Sequence, residues 1–402
     1  MSAGEAVEFA ALLDAISPDR FGRTPPPAMD AAGWDLTVRA AAWHRLGPML
    51  AGHLAGTSVA PPGIMAELDE QYLANAARNL FIAASLRQVL ETLGAAEIPA
   101  MLLKGAALVE TVYPDPALRE MLDLDLLVPA DRLGAANAAL STIGYRPQGE
   151  GPTSPSGRGG HHHEPALISD RGLVAVELHH HIATSEEGGL FDLSGFWQRA
   201  RPSAQAPGHL VPAPDDLLLH VALHFTRNRL GGNAERGGFA AGALSQLGDI
   251  AWTIDRSPPD WDRLVTTARG ARIDARVFLA LFAARRVGAA VPVATLNALR
   301  PPGFDPRLGR RLVALRVLRS GRQLPVRRLR WIVAPPREAL TRGWDADARA
   351  PASLARAYVR RAAAQAPLAR EAARRPWMLV QDFMLDRRLS ALARPDQGSF
   401  PS

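Results

Sequence analysis

Length, composition and charge set the first limits on this chain of 402 residues, which has no cysteine and a formal net charge of +6. A chain of this length exceeds a single hydrophobic core and predicts two or three domains. Its 47% hydrophobic and 21% charged residues are typical of a packed globular protein. The lack of cysteine excludes disulfides, thiolate zinc sites, iron–sulfur clusters and a cysteine nucleophile.

The sequence also bears on location. It contains no run of about 18 consecutive apolar residues, and the N-terminus lacks the basic segment of a secretory signal. We therefore expect neither a membrane span nor export, and predict a cytoplasmic protein.

The first third of the chain has the apolar spacing of helices. Apolar residues recur every three or four positions in residues 5–16, 33–56 and 64–93. Gly94 follows the last of these segments, where a helix C-cap is expected. We therefore predict an N-terminal helical region over residues 1–95.

The pattern then changes, because short apolar runs begin to alternate with helical segments. In chain order these are a strand at 98–103, a helix at 106–112, a strand at 122–128, a helix at 130–143 and a strand at 173–181. Alternation of this kind is the signature of a core that combines a sheet with helices. We predict such a core over residues 96–212, and for the whole chain a mixed α/β (α+β) fold.

Helical patterns return after the core. Residues 215–217 start one helix, residues 244–254 form another, and residues 260–262 open a third. We therefore predict a helical domain over residues 213–300. The α/β core then lies between an N-terminal helical segment and a C-terminal helical region.

The C-terminal tail is strongly basic. Residues 301–402 contain 21 arginines against 8 acidic residues. A tail of this charge favours an acidic partner, such as nucleic acid or an acidic membrane surface. The alternative is a set of solvated helix faces, because the arginines alternate with alanine and leucine at helical spacing.

Two aspartates in the second predicted strand are the strongest chemical signal. Asp123 and Asp125 are two residues apart, and such residues point to the same side of a strand. Like charges at this distance repel, burial adds a desolvation cost, and a divalent cation removes both problems. Mg²⁺ favours one or two carboxylates together with phosphate oxygens, as in phosphoryl-transfer sites. The alternative is an edge strand that carries two solvated aspartates.

Other polar residues near these aspartates strengthen the signal. Lys104, the one lysine of the chain, stands with Gly105 where a strand passes into a helix. Glycine lets a backbone approach a phosphate closely, and a helix N-terminus favours an anion. Arg119 precedes Asp123 by four residues, and Glu177 projects from the later strand as a third acid. The alternatives are an ordinary strand-to-helix turn and a surface ion pair at Arg119.

Several stretches of the sequence resemble a known family. They are Leu102-Leu103-Lys104-Gly105-Ala106-Ala107-Leu108, Tyr113-Pro114-Asp115-Pro116, Arg119, Asp123-Leu124-Asp125-Leu126-Leu127-Val128, Val176-Glu177-Leu178-His179, Asp216-Leu217-Leu218-Leu219-His220 with His224, Leu247-Gly248-Asp249-Ile250 and Asp260-Trp261-Asp262. Over roughly residues 5–300 the chain is similar to the bacterial uncharacterised nucleotidyltransferase family, of the DNA polymerase β-like nucleotidyltransferase superfamily. The resemblance implies a small nucleotidyltransferase-type sheet with flanking helices.

The resemblance also implies roles for individual residues. The implied catalytic residues, which are also the implied ligands of two Mg²⁺ ions or of Mn²⁺, are Asp123, Asp125 and Glu177. The implied nucleotide-binding residues are Lys104, Gly105, Arg119 and His179. The usual superfamily signature opens with Gly-Ser at the start of the helix, whereas this chain has Lys-Gly.

The predicted function is a metal-dependent nucleotidyltransferase that moves a nucleoside monophosphate from a triphosphate such as ATP to an acceptor. The acceptor nucleophile stays open among a small molecule, a peptide, a protein and an RNA. One alternative is a non-catalytic protein of this fold that binds a nucleotide or a partner. Another is a sugar-nucleotide glycosyltransferase, in which Asp-x-Asp also holds a metal, but the Lys-Gly turn and Glu177 argue against it.

Overall fold

Seven strands form one mixed sheet in the part of the chain that the structure describes. The computed structural model describes residues 10–148, 165–170, 174–183, 191–204, 207–227 and 242–307. Of these, residues 10–226 and 242–304 belong to one compact unit. Nearly all of the basic tail at 301–402 lies outside the described residues, so its acidic partner stays a prediction.

Helices come before, between and after the strands of the sheet in the sequence. They are α1 (Ala31–His44), α2 (Gly47–Leu54), α3 (Pro62–Ala95), α4 (Lys104–Thr111), α5 (Leu133–Ser141), α6 (Leu193–Arg199), α7 (Pro214–Phe225), α8 (Ala243–Arg256), α9 (Trp261–Gly270), α10 (Asp274–Arg286) and α11 (Val293–Leu299). None of these helices is both long enough and apolar enough to cross a bilayer. The predicted mixed α/β fold, with helices flanking a sheet, is confirmed.

The strands are short, and their order differs from their order in the sequence. They are β1 (Met101–Leu102), β2 (Asp123–Leu127), β3 (Tyr145–Pro147), β4 (Leu167–Ser169), β5 (Ala175–His179), β6 (Arg201–Pro202) and β7 (Leu210–Val211). The sheet order is β3-β4-β5-β2-β1-β7-β6, so β2 is central. It runs antiparallel to β1 and parallel to β5. Leu124 and Leu126, which alternate with the two aspartates along β2, are fully buried.

One predicted helix is in fact two helices. The apolar spacing of residues 33–56 predicts a single helix, but α1 ends at His44 and α2 begins at Gly47. Between them Arg45 has a left-handed backbone, with φ of 57°. Pro48 follows in the first turn of α2 and has no N–H to donate, so a helix running through it would lose a hydrogen bond. The break therefore comes from local backbone chemistry that the apolar pattern does not report.

The end of α3 also differs from the prediction. Gly94 is not the C-cap, because α3 continues to Ala95 and the left-handed residue is Glu97, with φ of 54°. The N–H of Ile98 donates to the carbonyl of Leu93 at 2.9 Å, which closes the helix end as in a Schellman motif. A non-glycine residue thus takes the position that glycine usually fills.

Two buried aspartates at the start of α7 connect three helices. Asp215 and Asp216 are fully buried. Asp216 accepts two hydrogen bonds from Arg199 of α6, at 2.8 and 2.9 Å. Asp215 accepts two from Arg263 of α9, at 2.7 and 2.8 Å. Bidentate pairs of this kind compensate the buried charges and hold α6 and α9 against α7.

We predict that Asp216→Ala lowers the free energy of unfolding by about 3 kcal/mol, because it leaves the guanidinium of Arg199 without its buried partner. Urea unfolding measures this. Asp35→Ala, which removes an ion pair between Asp35 and Arg39 that is more than half exposed, is the control and costs about 0.5 kcal/mol or less. Equal losses in the two variants would contradict a stabilising role for the buried pair.

Candidate functional site

The parallel pairing of β2 with β5 brings the predicted acids to one side of the sheet. In this register Asp125 lies beside Glu177, and Leu127 lies beside His179. Side chains two residues apart on a strand share a face. Asp123, Asp125, Glu177 and His179 therefore project from the same face.

Asp125 is the centre of the contacts on this face. Its Oδ1 atom lies 2.5 Å from Nζ of Lys104 and 2.8 Å from Nε2 of His179. Asp125 is only 2% exposed and His179 is fully buried. Burial alone would raise the pKa of the Asp125 carboxyl, but the Lys104 ammonium and the hydrogen bond with His179 outweigh it and hold this pKa well below its usual range. The carboxylate of Asp125 is therefore charged at neutral pH.

Glu177 completes a group of metal-ligating atoms. Its Oε2 atom lies 3.6 Å from Nε2 of His179 and 3.9 Å from Nζ of Lys104. Within the described residues, Asp125, Glu177 and His179 each offer a ligand atom, and these three atoms lie within 4.8 Å of one another. Two carboxylate oxygens and an imidazole nitrogen fit a divalent metal ion. The group differs in one member from the three acids that the resemblance implies, because His179 takes part and Asp123 does not.

Asp123 has a different electrostatic environment from Asp125. Burial, together with the charges of Asp125 and Glu177, raises the pKa of its carboxyl to about 6. Lys104 and Arg119 act in the opposite direction and do not overcome these effects. The pKa values of two aspartates on one strand thus shift in opposite directions, because Asp125 has two hydrogen-bonded partners, whereas burial and two nearby acids act on Asp123.

Lys104 reaches the acids from the first residue of α4. Its backbone has φ of 42°, in the left-handed region that residues with a side chain rarely adopt. Such a conformation costs about 1–3 kcal/mol. The side chain is 13% exposed and its ammonium contacts two carboxylates, so the ion pair with Asp125 offsets the strain. The position that the sequence singles out is thus a strained residue beside the acids.

Gly105 has a packing role that the sequence does not reveal. A Cβ atom at this position would lie 2.9 Å from Nη1 of Arg119 and 3.3 Å from Cγ of Met121. The absence of a side chain therefore lets Arg119 pack against the first turn of α4. A backbone contact between Gly105 and a phosphate, which the resemblance implies, stays a prediction.

A buried ion pair holds Arg119 in place. Its Nε and Nη2 atoms donate to the two carboxylate oxygens of Asp249 on α8, at 3.2 and 3.0 Å. Tyr113 donates its hydroxyl to the same carboxylate at 2.8 Å, and Nη1 of Arg119 donates to the carbonyl of Glu120. Burial opposes the charge, but Asp249 raises the pKa of Arg119 above its usual value. Arg119 is therefore a fixed cation near Asp123, and its partner Asp249 is buried, unlike the surface ion pair that was the alternative for Arg119.

Two asparagines of α3 fix the backbone that leads into β2. Asn79 donates to the carbonyls of Pro116 and Arg119, at 2.7 and 2.8 Å. Asn75 donates to the carbonyl of Ala117 at 2.7 Å. The N-terminal helical layer thus positions the segment that carries Arg119.

Two residues of this site have roles that differ from those the sequence predicts. The sequence predicts a core contact of Asp249 with His220 and His224 of the neighbouring helix, whereas Arg119 is the cation that its buried carboxylate binds. The resemblance implies that His179 binds the nucleotide, whereas its place two residues after Glu177 puts both side chains on one strand face. The sequence shows that each of these side chains needs a polar partner, but it does not show that Arg119 is the partner of Asp249 or that Asp125 is the partner of His179.

Comparison with known proteins identifies a family. The model of a family described as uncharacterised nucleotidyltransferase matches residues 30–288. The match includes all of α1 to α10 and every residue of the site described above, and it ends before α11. Neither the curated proteins nor the solved structures contain a match to this chain.

The raised pKa of Asp123 predicts how stability depends on pH. Between pH 3.8 and about pH 6 the folded state keeps a proton on Asp123 that the unfolded chain releases, so the protein loses stability as pH rises through this window. Asp123→Asn removes this effect. In metal-free buffer the variant gains up to about 3 kcal/mol over the parent between pH 4 and pH 7. Urea unfolding at several pH values measures the difference, and a difference independent of pH would contradict the assignment.

Proposed function

Because the chain belongs to the uncharacterised nucleotidyltransferase family, we propose that it is a metal-dependent nucleotidyltransferase. It transfers a nucleoside monophosphate from a nucleoside triphosphate to a nucleophilic acceptor. The observation that carries the proposal is the group of charged and metal-ligating side chains on β2 and β5, with Asp125 beside Glu177. This arrangement resembles the acids of the DNA polymerase β-like superfamily, to which we assign the chain.

The acids of the sheet face hold the metal in this proposal. Asp123, Asp125 and Glu177 are the proposed ligands, and carboxylate oxygens suit Mg²⁺ or Mn²⁺. A divalent metal bound there supplies positive charge that stabilises the triphosphate and the leaving pyrophosphate. The low pKa of Asp125 supports its role, because a ligand must be ionised.

Lys104 and Arg119 bind the phosphates in this proposal. The Lys104 ammonium lies beside the acids and at the N-terminus of α4, where backbone N–H groups favour an anion. Arg119 uses three of its five N–H groups on Asp249 and Glu120, so its guanidinium keeps a fixed orientation when phosphate oxygens arrive. A preorganised cation such as Arg119 stabilises the charge of a phosphoryl group without rearranging.

The acceptor stays open among a small molecule, a peptide, a protein and an RNA. The proposal includes ATP as a donor of the nucleoside monophosphate. It also includes a cytoplasmic location. Two rival functions make different predictions. A non-catalytic binding protein takes up nucleotide without releasing pyrophosphate, and a glycosyltransferase consumes a nucleotide sugar instead of a triphosphate.

The deciding experiment follows the α-phosphate. The purified full chain is incubated with Mg²⁺ or Mn²⁺, candidate acceptors and each triphosphate labelled at the α-phosphorus, while pyrophosphate release is measured. Transfer of the α-label to an acceptor with release of pyrophosphate supports the proposal. In a parallel incubation with triphosphates labelled at the γ-phosphorus, transfer of that label to an acceptor would indicate a kinase instead. Binding without release, or turnover of nucleotide sugars alone, would favour one of the rivals.

We predict that Asp123→Asn abolishes nucleotidyl transfer and removes most of the rise in melting temperature that ligands cause. Mg²⁺ with a bound triphosphate raises the melting temperature of the parent, because only the folded state binds them. The variant shows a far smaller rise, since it lacks one carboxylate of the site. Asp35→Asn on the exposed face of α1 is the control and shifts as the parent does. Equal shifts in all three proteins would favour a solvated Asp123 without a metal role.

We predict that Lys104→Ala weakens triphosphate affinity by about tenfold, the loss expected for one charge-assisted hydrogen bond. Lys104→Arg restores the triphosphate affinity only in part. The Lys104 side chain is 13% exposed, and a planar guanidinium does not fit the space of its compact ammonium. Calorimetric titration of a non-hydrolysable triphosphate measures both, with Arg39→Ala on α1 as the control. Unchanged affinity in both Lys104 variants would give Lys104 a purely structural role.

A further inference from the structure

The donor atoms on β2 and β5 include a nitrogen as well as oxygens. Nε2 of His179 lies 2.8 Å from Oδ1 of Asp125 and 3.6 Å from Oε2 of Glu177. We propose that His179 is itself a metal ligand, and that the site therefore binds a first-row transition ion such as Mn²⁺ more tightly than Mg²⁺. The inference rests on the proposed metal-dependent function and defines which cation that function uses.

The strand geometry places the side chain of His179 beside the carboxylates of Asp125 and Glu177. It is the last residue of β5 and lies two residues after Glu177, so both side chains project from the face that carries Asp125. His179 is fully buried, so the packing around it fixes the ring. A nucleotide base is a large ligand, and a side chain without solvent exposure offers it little contact surface. The burial therefore favours a metal ligand over a contact with a base.

The spacing of the donor atoms suits coordination to one ion. Adjacent ligands of an octahedral ion, each about 2.1 Å from it, lie about 3 Å apart. The two measured distances from the His179 nitrogen, 2.8 and 3.6 Å, lie on either side of this value. Small rotations of the carboxylates of Asp125 and Glu177 would bring the three atoms around a common centre.

The ammonium of Lys104 also faces these donor atoms and competes with a metal ion for them. Nζ of Lys104 lies 2.5 Å from Oδ1 of Asp125 and 3.9 Å from Oε2 of Glu177. An ion that takes these oxygens competes with the ammonium, and Lys104 then turns to the phosphates. The competition weakens every divalent ion alike, so it does not decide between them.

The nitrogen does decide between ions. Mg²⁺ is a hard cation that prefers oxygen and holds its water, whereas first-row transition ions accept a nitrogen donor, with affinities that rise from Mn²⁺ through Fe²⁺ and Co²⁺ to Ni²⁺ and Cu²⁺. If His179 only orients Asp125 through a hydrogen bond, its loss should weaken Mg²⁺ and Mn²⁺ binding equally. If it is a ligand, its loss should weaken Mn²⁺ selectively.

The test is metal binding by the full chain without nucleotide. Mn²⁺ and Mg²⁺ affinities are measured by calorimetry for the parent and for His179→Gln, whose amide keeps a hydrogen-bonding group near Nε2. We expect Mn²⁺ affinity to fall about 10- to 100-fold and Mg²⁺ affinity to fall much less. His53→Asn is the control, because His53 is a buried histidine of α2 whose Nδ1 accepts from the Gly22 N–H. It should leave the ratio of the two affinities unchanged.

A spectroscopic measurement on the parent covers the case in which the variant does not fold. Pulsed electron paramagnetic resonance of the Mn²⁺-loaded chain detects a directly bound imidazole nitrogen. Nitrogen coupling in the parent supports the inference, and in a folded His179→Gln variant that coupling should be lost. Absence of the coupling, equal losses for the two ions, or no metal binding by the parent would each overturn it.

The same measurements separate this inference from the proposed function. A chain that shows nitrogen-bound Mn²⁺ but transfers no nucleotide keeps the metal site and refutes the function. A chain that transfers nucleotide without nitrogen coupling refutes only the role of His179.

Discussion

The site depends on the two contacts that stabilise the buried carboxylate of Asp125, one with Lys104 and one with His179. Asp125 is almost fully buried at the centre of the sheet, and an ionised carboxylate in such a place is costly unless it is paired. Lys104 and His179 provide the pairing, and both contact the same oxygen. Each comes from a different element, so α4, β2 and β5 must take their observed positions together. The local chemistry and the topology of the sheet are therefore linked.

The same physical rule recurs in the helical part of the chain. Asp249, Asp215 and Asp216 are buried acids, and each accepts two hydrogen bonds from one arginine. Two of these pairs hold helices together. The third pair, Asp249 with Arg119, lies near the sheet acids and joins α8 to the segment before β2. The C-terminal helices thus help to position a cation of the site, although they contribute none of the metal-ligating atoms described on β2 and β5.

Much of the fold followed from periodicity in the sequence. The central strands, the helix that begins at Lys104 and the helices of residues 214–270 lie close to their predicted places. The errors came where local backbone conformation overrides apolar spacing. Arg45 and Glu97 adopt left-handed conformations that end helices, and apolar patterns carry no information on such residues. The domain boundaries and the roles of the site residues stay predictions.

The sequence alone determined which side chains share a strand face and where the lone lysine stands, because both depend on neighbours within a few residues. It placed Asp123 with Asp125, and Glu177 with His179, through the two-residue period of a strand. Only the tertiary structure decided that these two pairs meet, since the parallel register of β2 with β5 is set by packing between distant segments. It also decided that Arg119 binds Asp249, 130 residues away. Contacts of that separation depend on the whole fold, because burial selects the partner of each charge and no local pattern records it.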